Sequence, residues 1–167
     1  MDFALSSDDV LLQQSVRDFV EEQANACWKE IDRTDEMPQH LIDGARQLGL
    51  FGLSIPAEYG GLALSVQQKT LVHEMLGRGP WGLASFISVH TGLGCVGIVR
   101  FGSQAQKDQY LPKMANGEWL GSFALTEPGA GSDAGAMTTR AERRGDSYIL
   151  NGHKTFITNA PLAHQYF

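Results

Sequence analysis

The 167-residue chain has few cysteines and no cluster of positive charge, and both absences exclude classes of protein. Cys27 and Cys95 lie far apart and match neither a zinc-site spacing nor a redox C-x-x-C pair. We therefore expect buried, reduced thiols, which fit a cytoplasmic location. The net charge is −6, and no basic stretch is interleaved with aromatic residues, so nucleic-acid binding is disfavoured.

Targeting segments, membrane spans and metal sites are also not expected. The apolar runs are predicted to be too short to span a bilayer, and Met1-Asp2-Phe3 lacks the features of a signal or transit peptide. No two of the five histidines share the i, i+4 spacing of a zinc site. No internal repeat is present. A hydrophobic content of 43% nevertheless allows a folded domain with a substantial core.

Residues 1–117 show the three- and four-residue apolar spacing of amphipathic helices. Ser6 with Asp9, and Ser103 with Gln106, have capping-box spacing, and Ser65 is a third predicted cap. Further helices are predicted to begin at Pro38 and Trp81, and Gly49 and Gly117 are predicted stops. The stretch from Trp81 to Arg100 is apolar nearly all round and predicts one continuous, buried central helix.

Residues 118–167 show the features of strands and turns instead. A strand-like run covers 119–125, and a hairpin is predicted from 138–142 and 147–150. Asn151-Gly152 favours a type I′ turn into a strand at 154–159, and another strand begins near His164. The predicted class is α+β: an all-α helical bundle (1–117) followed by an incomplete antiparallel β-domain (118–167), a meander of about four strands.

The segment from Leu125 to Asp133 joins a strand-like run to a turn rich in Pro and Gly. Pro128 restricts one backbone angle, while Gly129 and Gly131 allow positive φ and close approach of a ligand. Such a loop can direct several backbone N–H groups, with the hydroxyl of Ser132, at one flat polar ligand. A plain β-turn between two strands accounts for the same residues, and the composition leaves both interpretations open.

Three other patterns have simpler explanations than catalysis. Gly92-Leu93-Gly94-Cys95-Val96-Gly97 matches the dinucleotide fingerprint, but it lies within a predicted helix, so we interpret its glycines as close helix packing. His90 is interpreted as a core histidine with its hydrogen bonds satisfied. Ser132 lacks the G-x-S-x-G elbow and a neighbouring histidine, so a hydrogen-bonding role is favoured over nucleophilic attack.

Several separated motifs together resemble the acyl-CoA dehydrogenases. In chain order these are residues 55–61, Tyr110-Leu111-Pro112-Lys113, Gly117-Glu118-Trp119, 123–133 and 151–159. The signature Leu125-Thr126-Glu127-Pro128-Gly129-Ala130-Gly131-Ser132-Asp133 is the most specific of them. The resemblance covers essentially the whole chain. It implies the family's N-terminal helical domain and the first part of its middle β-domain, with the C-terminal helical domain absent.

The resemblance implies an FAD site formed by two segments. The implied cofactor-binding residues are Phe123, Ala124, Leu125, Thr126, Gly131, Ser132, Phe156, Ile157 and Thr158. Ser132 is also implied to contact the acyl-CoA substrate, and Thr158 to lie near flavin N5. Phe123 and Phe156 replace a common Tyr and Trp of the family, which keeps an aromatic face but loses a polar group.

The implied reaction is α,β-dehydrogenation of an acyl-CoA thioester, with hydride transfer to flavin N5. Hydrogen bonds to the electron-rich edge of the flavin are expected to stabilise its reduced form. The family's base is a Glu of the C-terminal half, and no residue here is assigned to that role. We therefore expect residues 1–167 alone to be inactive and to bind FAD weakly or not at all.

The family resemblance also implies a homotetramer in fatty acid metabolism that passes electrons to an electron-transfer flavoprotein. Two alternatives remain at this point. One is an oxidase or monooxygenase of the same fold, and the other is a non-catalytic acyl-CoA-binding or partner subunit. The unpaired strand edges expected of an incomplete β-domain invite association or disorder. Because the sequence stops within a predicted strand, we expect a fragment of a longer enzyme in preference to a split enzyme or a degenerate binding module.

Overall fold

The computed structural model describes residues 4–167, and within that range seven α-helices precede the first strand. The helices are α1 (Ser7–Phe19), α2 (Trp28–Thr34), α3 (Gln39–Gln47), α4 (Val66–Leu76), α5 (Trp81–Val89), α6 (Val96–Phe101) and α7 (Gln104–Ala115). The strands are β1 (Gly121–Ser122), β2 (Arg140–Arg144), β3 (Ser147–Asn151) and β4 (Gln165–Tyr166). A helical part followed by a partial β part confirms the predicted α+β class.

The predicted caps begin three of the helices. The Ser6 hydroxyl accepts from the Asp9 N–H at 3.1 Å, and the Asp9 carboxylate accepts in return from the Ser6 N–H. Reciprocal pairs of the same kind start α4 at Ser65 and α7 at Ser103. Each pair satisfies two N–H groups that the first turn of a helix leaves without a partner.

Two glycines after helices have the left-handed backbone that the sequence analysis expects. Gly49 follows α3 with φ of 67°, and Gly117 follows α7 with φ of 71°. A Cβ on Gly117 would lie 2.5 Å from the ring of Phe51, so a larger residue would both strain the turn and clash with the core. The chain therefore reverses direction close to the buried Phe51.

The predicted continuous helix from Trp81 onward is interrupted. A π-helical turn at His90–Gly94 separates α5 from α6, although nearly all of Trp81–Phe101 is helical. By length and composition this 21-residue helical segment, in which an 18-residue window has mean hydropathy 1.6, is sufficient to cross a membrane, so the expectation that every apolar run is too short is wrong. Leu83 and Ile87 of this segment are fully buried in the helical domain, as in a core helix.

The core of the helical part is centred on Phe51, which is fully buried. Its ring packs edge-on against Phe86, at 6.0 Å between centroids, and against His90, at 5.4 Å. Burying a phenylalanine side chain contributes about 1.5–3 kcal/mol to folding. A second apolar cluster lies between α6 and α7 and includes Ile98 and Met114. These two clusters of buried side chains stabilise the helical part, from which the later loops extend.

The strands pair differently from the predicted meander. β2 and β3 form the expected antiparallel hairpin, but β1 pairs with β4 in parallel, with Gly121 opposite Gln165. The strand-like run at 119–125 shortens to two residues because it pairs with β4 only at Gly121 and Ser122. The backbone of Gly121 also packs directly against Gly94, where a Cβ would lie 2.7 Å away. Only short strand segments therefore form in this part of the chain.

The predicted turn at Asn151-Gly152 is wrong. Neither residue has positive φ, which a type I′ turn requires at both central positions. Asn151 is instead the last residue of β3 and pairs with Arg140. Gly152 then passes close to the Thr139 side chain, where a Cβ would collide. Residues 154–159 consequently form no strand but an extended segment and turns.

Candidate functional site

The loop after β1 closes in a tight turn. The Glu127 N–H donates to the Ala130 carbonyl at 3.0 Å, and the Ala130 N–H donates back at 3.1 Å. Pro128 and Gly129 form the exposed tip of this turn. The plain β-turn interpretation of these residues is thus met by the structure, and it leaves the residues on either side free for other contacts.

Backbone donors flank this turn. Within residues 4–167, the N–H groups of Leu125, Thr126 and Ser132 donate no hydrogen bond. The Ala124 N–H, in contrast, is paired with the Phe167 carbonyl at 2.8 Å. Leu125 and Ser132 are exposed and Thr126 is half-buried, so these three donors are open to water or to an external acceptor. This observation fits the polar edge of a flavin.

The second predicted segment presents an aromatic ring to solvent. Phe156 is 92% exposed and has φ of 55°, an uncommon left-handed conformation for a non-glycine residue. Such strained, exposed aromatic positions are found at ligand sites. Ile157 is half-buried and Thr158 is exposed. The ring of Phe156 is therefore available as a packing surface for a planar group.

Two hydrogen bonds hold this second segment, one to β1 and one to α5. The buried Ser122 hydroxyl donates to the Thr158 carbonyl at 2.6 Å. The Asn159 amide donates to the Phe86 carbonyl of α5 at 2.9 Å. Asn159 itself has φ of 67°, so the turn after Thr158 is fixed at a defined angle. Neither Ser122 nor Asn159 was selected from the sequence, because their roles depend on partners 36 and 73 residues away.

The structure brings the two predicted segments together. The Thr155 N–H donates to the Thr126 carbonyl at 2.9 Å, which joins residues 123–127 to residues 154–158. The ring of Phe123 stacks on that of Phe167, with centroids 6.4 Å apart, and so lies at the β4 side of the loop. Gly131 is exposed, and a Cβ built there would meet nothing within 4 Å. The assignment of these residues to cofactor binding remains a prediction.

Glu127 is a buried carboxylate that the sequence analysis gave no role beyond the signature. It accepts hydrogen bonds from the N–H and hydroxyl groups of both Thr138 and Thr139, at 2.5–3.0 Å. The Lys154 ammonium is a fifth donor at 3.0 Å. The Thr139 hydroxyl and the Thr138 N–H, with the other donors, hold the pKa of the Glu127 carboxyl well below its usual range. Glu127 is therefore an anionic anchor for the loop.

Lys154 was also missed as a site residue. Its ammonium donates to the Leu125 carbonyl at 2.8 Å as well as to Glu127, and it lies 3.4 Å from the Met137 sulfur. A lysine eight residues after the hairpin loop gives no signal in sequence that it returns to Leu125. The ion pair connects the same two segments that the Thr155–Thr126 bond joins.

His90 has the structural role that the sequence analysis expects. Its Nδ1 accepts from the Gly121 N–H at 2.9 Å, so its Nε2 carries the proton and donates to the Met114 carbonyl at 3.1 Å. Burial lowers the pKa of His90 to about 4. The imidazole is neutral and fully paired, which confirms a satisfied core histidine.

The glycines of the dinucleotide-like pattern allow close packing at two of three positions, but against β1 and Phe167 and not against another helix as expected. Gly94 contacts the backbone of Gly121, and Gly97 contacts the ring of Phe167 so closely that a Cβ would clash in both places. Gly92 has open space around it. A dinucleotide fingerprint lies between a strand and the helix that follows it, whereas this segment lies within helical structure, so it is not such a fingerprint.

The two cysteines are buried and unpaired, as expected. Burial raises the pKa of Cys95 to about 12, which keeps its thiol protonated. In the part of the chain that the structure describes, no group of three or more His, Cys, Asp or Glu side chains is arranged to hold a metal ion.

A cleft of about 770 Å³ lies between the α2–α3 connection, the start of α5 and residues 158–162. Its walls include the apolar side chains of Met37, Trp81 and Phe86. Among the nine predicted cofactor-binding residues, Thr158 alone lines this cleft. Asp32, Asp35 and Glu36 also line the cleft, so Thr158 borders a space of mixed polar and apolar character beside the helical domain.

Two family models match the chain. The acyl-CoA dehydrogenase N-terminal domain matches residues 6–118, and the acyl-CoA dehydrogenase middle domain matches residues 122–167. The chain belongs to the acyl-CoA dehydrogenase family. An acyl-CoA dehydrogenase of Bacillus subtilis is 38% identical over 97% of the chain, and a 3-(aryl)acrylate reductase of Clostridium sporogenes is 40% identical over 92%.

A solved acyl-CoA dehydrogenase supports the cofactor. The Bacillus anthracis enzyme, in a structure described as a complex with FAD, superposes with a TM-score of 0.87 at 36% identity, covering 97% of this chain and 28% of that one. The comparisons support FAD as the cofactor of the family. This chain spans 43% and 41% of the lengths of the two curated relatives named above.

Proposed function

We propose that residues 1–167 are the flavin- and substrate-contacting part of an FAD-dependent acyl-CoA dehydrogenase that catalyses α,β-dehydrogenation of acyl-CoA thioesters. The observation that carries this proposal is the junction at Thr126 and Thr155. It places unpaired N–H groups of the signature loop beside the segment that bears the exposed ring of Phe156. Family membership supplies the reaction class.

The residues of this junction fit the flavin. The free N–H groups of Leu125 and Thr126 and the Thr126 hydroxyl suit its polar edge, and Phe156 suits its ring. Thr158 would lie near N5, and Ser132 would contact both flavin and acyl-CoA. When bound, FAD supplies the hydride acceptor. The chain's own residues bind and orient the cofactor and donate hydrogen bonds where negative charge increases.

The base that removes the α-proton is proposed to lie outside residues 1–167. Glu127 is unsuited to that role because five donors already occupy its two oxygens. A base needs a free lone pair within reach of the proton that it removes. We therefore keep the proposal that these residues alone are inactive and bind FAD weakly.

The assembly and partners are proposed from the family resemblance. They are a cytoplasmic homotetramer in fatty acid metabolism, with an electron-transfer flavoprotein as the acceptor of electrons. Oxidation of the substrate leaves two electrons on the cofactor, so an acceptor of some kind is required for turnover. The oligomeric state and the electron acceptor can both be tested on the complete gene product that contains these residues.

A second candidate is the same chemistry in the reductive direction. The relative from Clostridium sporogenes carries the name 3-(aryl)acrylate reductase at 40% identity. Its identity to this chain is similar to that of the dehydrogenase from Bacillus subtilis, at 38%. The chain's loop residues would serve either direction, since a catalyst lowers the barrier both ways.

The test uses the complete gene product, purified natively, with a visible absorption spectrum and anaerobic addition of saturated acyl-CoA thioesters. The expected result is a flavin band that bleaches with at least one acyl chain length and returns when an artificial acceptor is added. Bleaching by a reductant and recovery with an α,β-unsaturated substrate, with no response to saturated thioesters, would support the reductive candidate. A protein without flavin after incubation with FAD would refute both.

A further inference from the structure

The Leu125–Thr126 peptide unit has a different neighbour at each end. Its carbonyl oxygen, which belongs to Leu125, accepts from the Lys154 ammonium at 2.8 Å. Its N–H, which belongs to Thr126, donates no hydrogen bond within residues 4–167. The carbonyl end of this amide therefore contacts a cation, while its N–H end is available to an external acceptor.

The ammonium is held in this place by an anchored partner. Glu127 accepts from Lys154 at 3.0 Å, and its side chain is 4% exposed, against 24% for that of Lys154. The N–H groups of Thr138 and Thr139 fix the carboxylate in turn, at 2.7 and 3.0 Å. Because the Lys154 ammonium is held by two acceptors, the Leu125 carbonyl and the Glu127 carboxylate, its side chain lacks the rotamer freedom that weakens exposed lysine contacts. The position of Nζ on the Leu125 carbonyl is therefore well defined.

An ammonium on a carbonyl oxygen draws electron density through the amide and makes the N–H of the same unit a stronger donor. Hydrogen bonds in series strengthen one another by such polarisation, more so where water is partly excluded. Glu127 neutralises the net charge, but the positive member of the pair is the one that contacts the peptide. The unpaired Thr126 N–H thus belongs to an amide with increased polarity.

We propose that Lys154 is a positioning residue that polarises the Leu125–Thr126 peptide, strengthens the Thr126 N–H as a donor to the polar edge of FAD, and thereby raises the reduction potential of the bound cofactor. The inference rests on the proposed function, because it takes FAD as the acceptor. A reduced flavin carries more negative charge at that edge than an oxidised one, so a stronger donor favours reduction. Lys154 itself does not touch the cofactor in this scheme.

A purely structural clamp is the competing explanation, and substitutions of graded chemistry separate the two. Lys154→Arg keeps a cation, Lys154→Gln keeps only a neutral donor, and Lys154→Met has neither. Lys29→Met, on the exposed surface of α2, is the control for losing one positive charge elsewhere. All four are made in the complete gene product.

The measurement is a spectroelectrochemical titration of bound FAD, together with the melting temperature of the cofactor-free protein. Lys154→Met is expected to lower the equilibrium ratio of reduced to oxidised flavin about tenfold, which is about 30 mV for a two-electron couple. Lys154→Gln is expected to fall between Lys154→Met and wild type. Lys154→Arg and Lys29→Met are expected to match wild type. The cofactor-free melting temperatures of the Gln and Arg variants are expected to agree.

Equal potentials for wild type and both neutral variants would overturn this inference and leave the proposed function standing. A potential for Lys154→Arg as low as that of Lys154→Met would overturn it as well. If the neutral variants release FAD, unchanged cofactor-free melting supports the inference, and a lowered melting temperature supports the clamp and overturns it. A wild-type protein that holds no FAD would refute the proposed function itself.

Discussion

The Nδ1 atom of His90 accepts a hydrogen bond of 2.9 Å from the N–H of Gly121, and this contact joins the helical core to the first residue of β1. The other ring nitrogen holds the carbonyl of Met114 near the end of α7. One buried imidazole therefore determines how the strand leaves the helical domain, and so where the loop at Thr126 begins.

Replacing His90 with alanine is expected to lower the free energy of unfolding by about 2–5 kcal/mol. The change leaves a buried N–H and a buried carbonyl without partners and opens a cavity beside Phe51. His153→Ala, at an exposed position, is expected to change it by less than about 0.5 kcal/mol. Urea denaturation at neutral pH measures both, and equal midpoints for the two variants would contradict the role given to His90.

The same histidine predicts a pH dependence of stability. Because its folded pKa is lowered from 6.5 to about 4, the unfolded chain binds a proton at this site between those values while the folded chain does not. The contribution is present above pH 6.5 and is lost as the pH falls toward 4, by about 3 kcal/mol in total. Unfolding titrations of wild type and His90→Gln across that range should differ in slope. Parallel curves would show that His90 does not titrate in this way.

Gly94 and Gly92 form a matched pair within one pattern. A Cβ on Gly94 would lie 2.7 Å from the backbone of Gly121, whereas a Cβ on Gly92 would meet nothing within 4 Å. Gly94→Ala is therefore expected to cost about 1–3 kcal/mol through overpacking. Gly92→Ala is expected to be neutral or to stabilise by up to about 1 kcal/mol. Thermal melting separates them, and a Gly92→Ala variant that is the less stable one would contradict the packing assignment.

Glu127→Ala is expected to loosen the start of β2. The N–H groups of Thr138 and Thr139 lose their acceptor, and amide hydrogen exchange at both residues should become about tenfold faster or more. Glu142→Ala removes only an exposed ion pair to Arg144 at 3.8 Å and is the control. Because the folded pKa of Glu127 is lowered, its contribution exists above pH 4.5 and declines as acid protonates the carboxylate. Unchanged exchange at Thr138 would rule out the anchor.

Phe156 is expected to show a conflict between stability and binding. Its ring packs on little of the chain and its backbone is left-handed, so Phe156→Gly should leave the cofactor-free protein as stable or up to about 1 kcal/mol more stable. Phe156→Ala keeps the strain and should not stabilise. Both should bind FAD more weakly, as followed by flavin fluorescence in the complete gene product. Wild-type affinity in both variants would remove Phe156 from the site.

Local features of the structure follow closely from the sequence. The caps at Ser6 and Ser103 and the stop at Gly117 depend on residues within a few positions of one another, so their chemistry is visible in the chain itself. The β2–β3 hairpin is of the same kind, with Gly145 at φ of 62° in its loop. The family signature at 125–133 identified the loop because it is contiguous.

Features that depend on distant partners did not follow in the same way. Asn151-Gly152 has the composition of a hairpin turn, yet Asn151 pairs with Arg140 in the hairpin and Gly152 packs against the side chain of Thr139. The parallel pairing of β1 with β4 joins residues 44 positions apart, and no local pattern distinguishes it from an antiparallel one. The π-helical turn at His90–Gly94 likewise occurs in a sequence that reads as one uninterrupted helix.

The sequence by itself determined the helical first part, the helix ends, the family and the two segments proposed for the flavin, because each is encoded in contiguous residues. Only the tertiary structure decided that those segments meet at Thr126 and Thr155, and that Glu127 and Lys154 hold them there. Hydrogen bonds and ion pairs act through space over about 3 Å. The packing of the whole chain therefore determines which groups pair. The contact of the Lys154 ammonium with the Leu125–Thr126 peptide is accordingly a property of the tertiary structure.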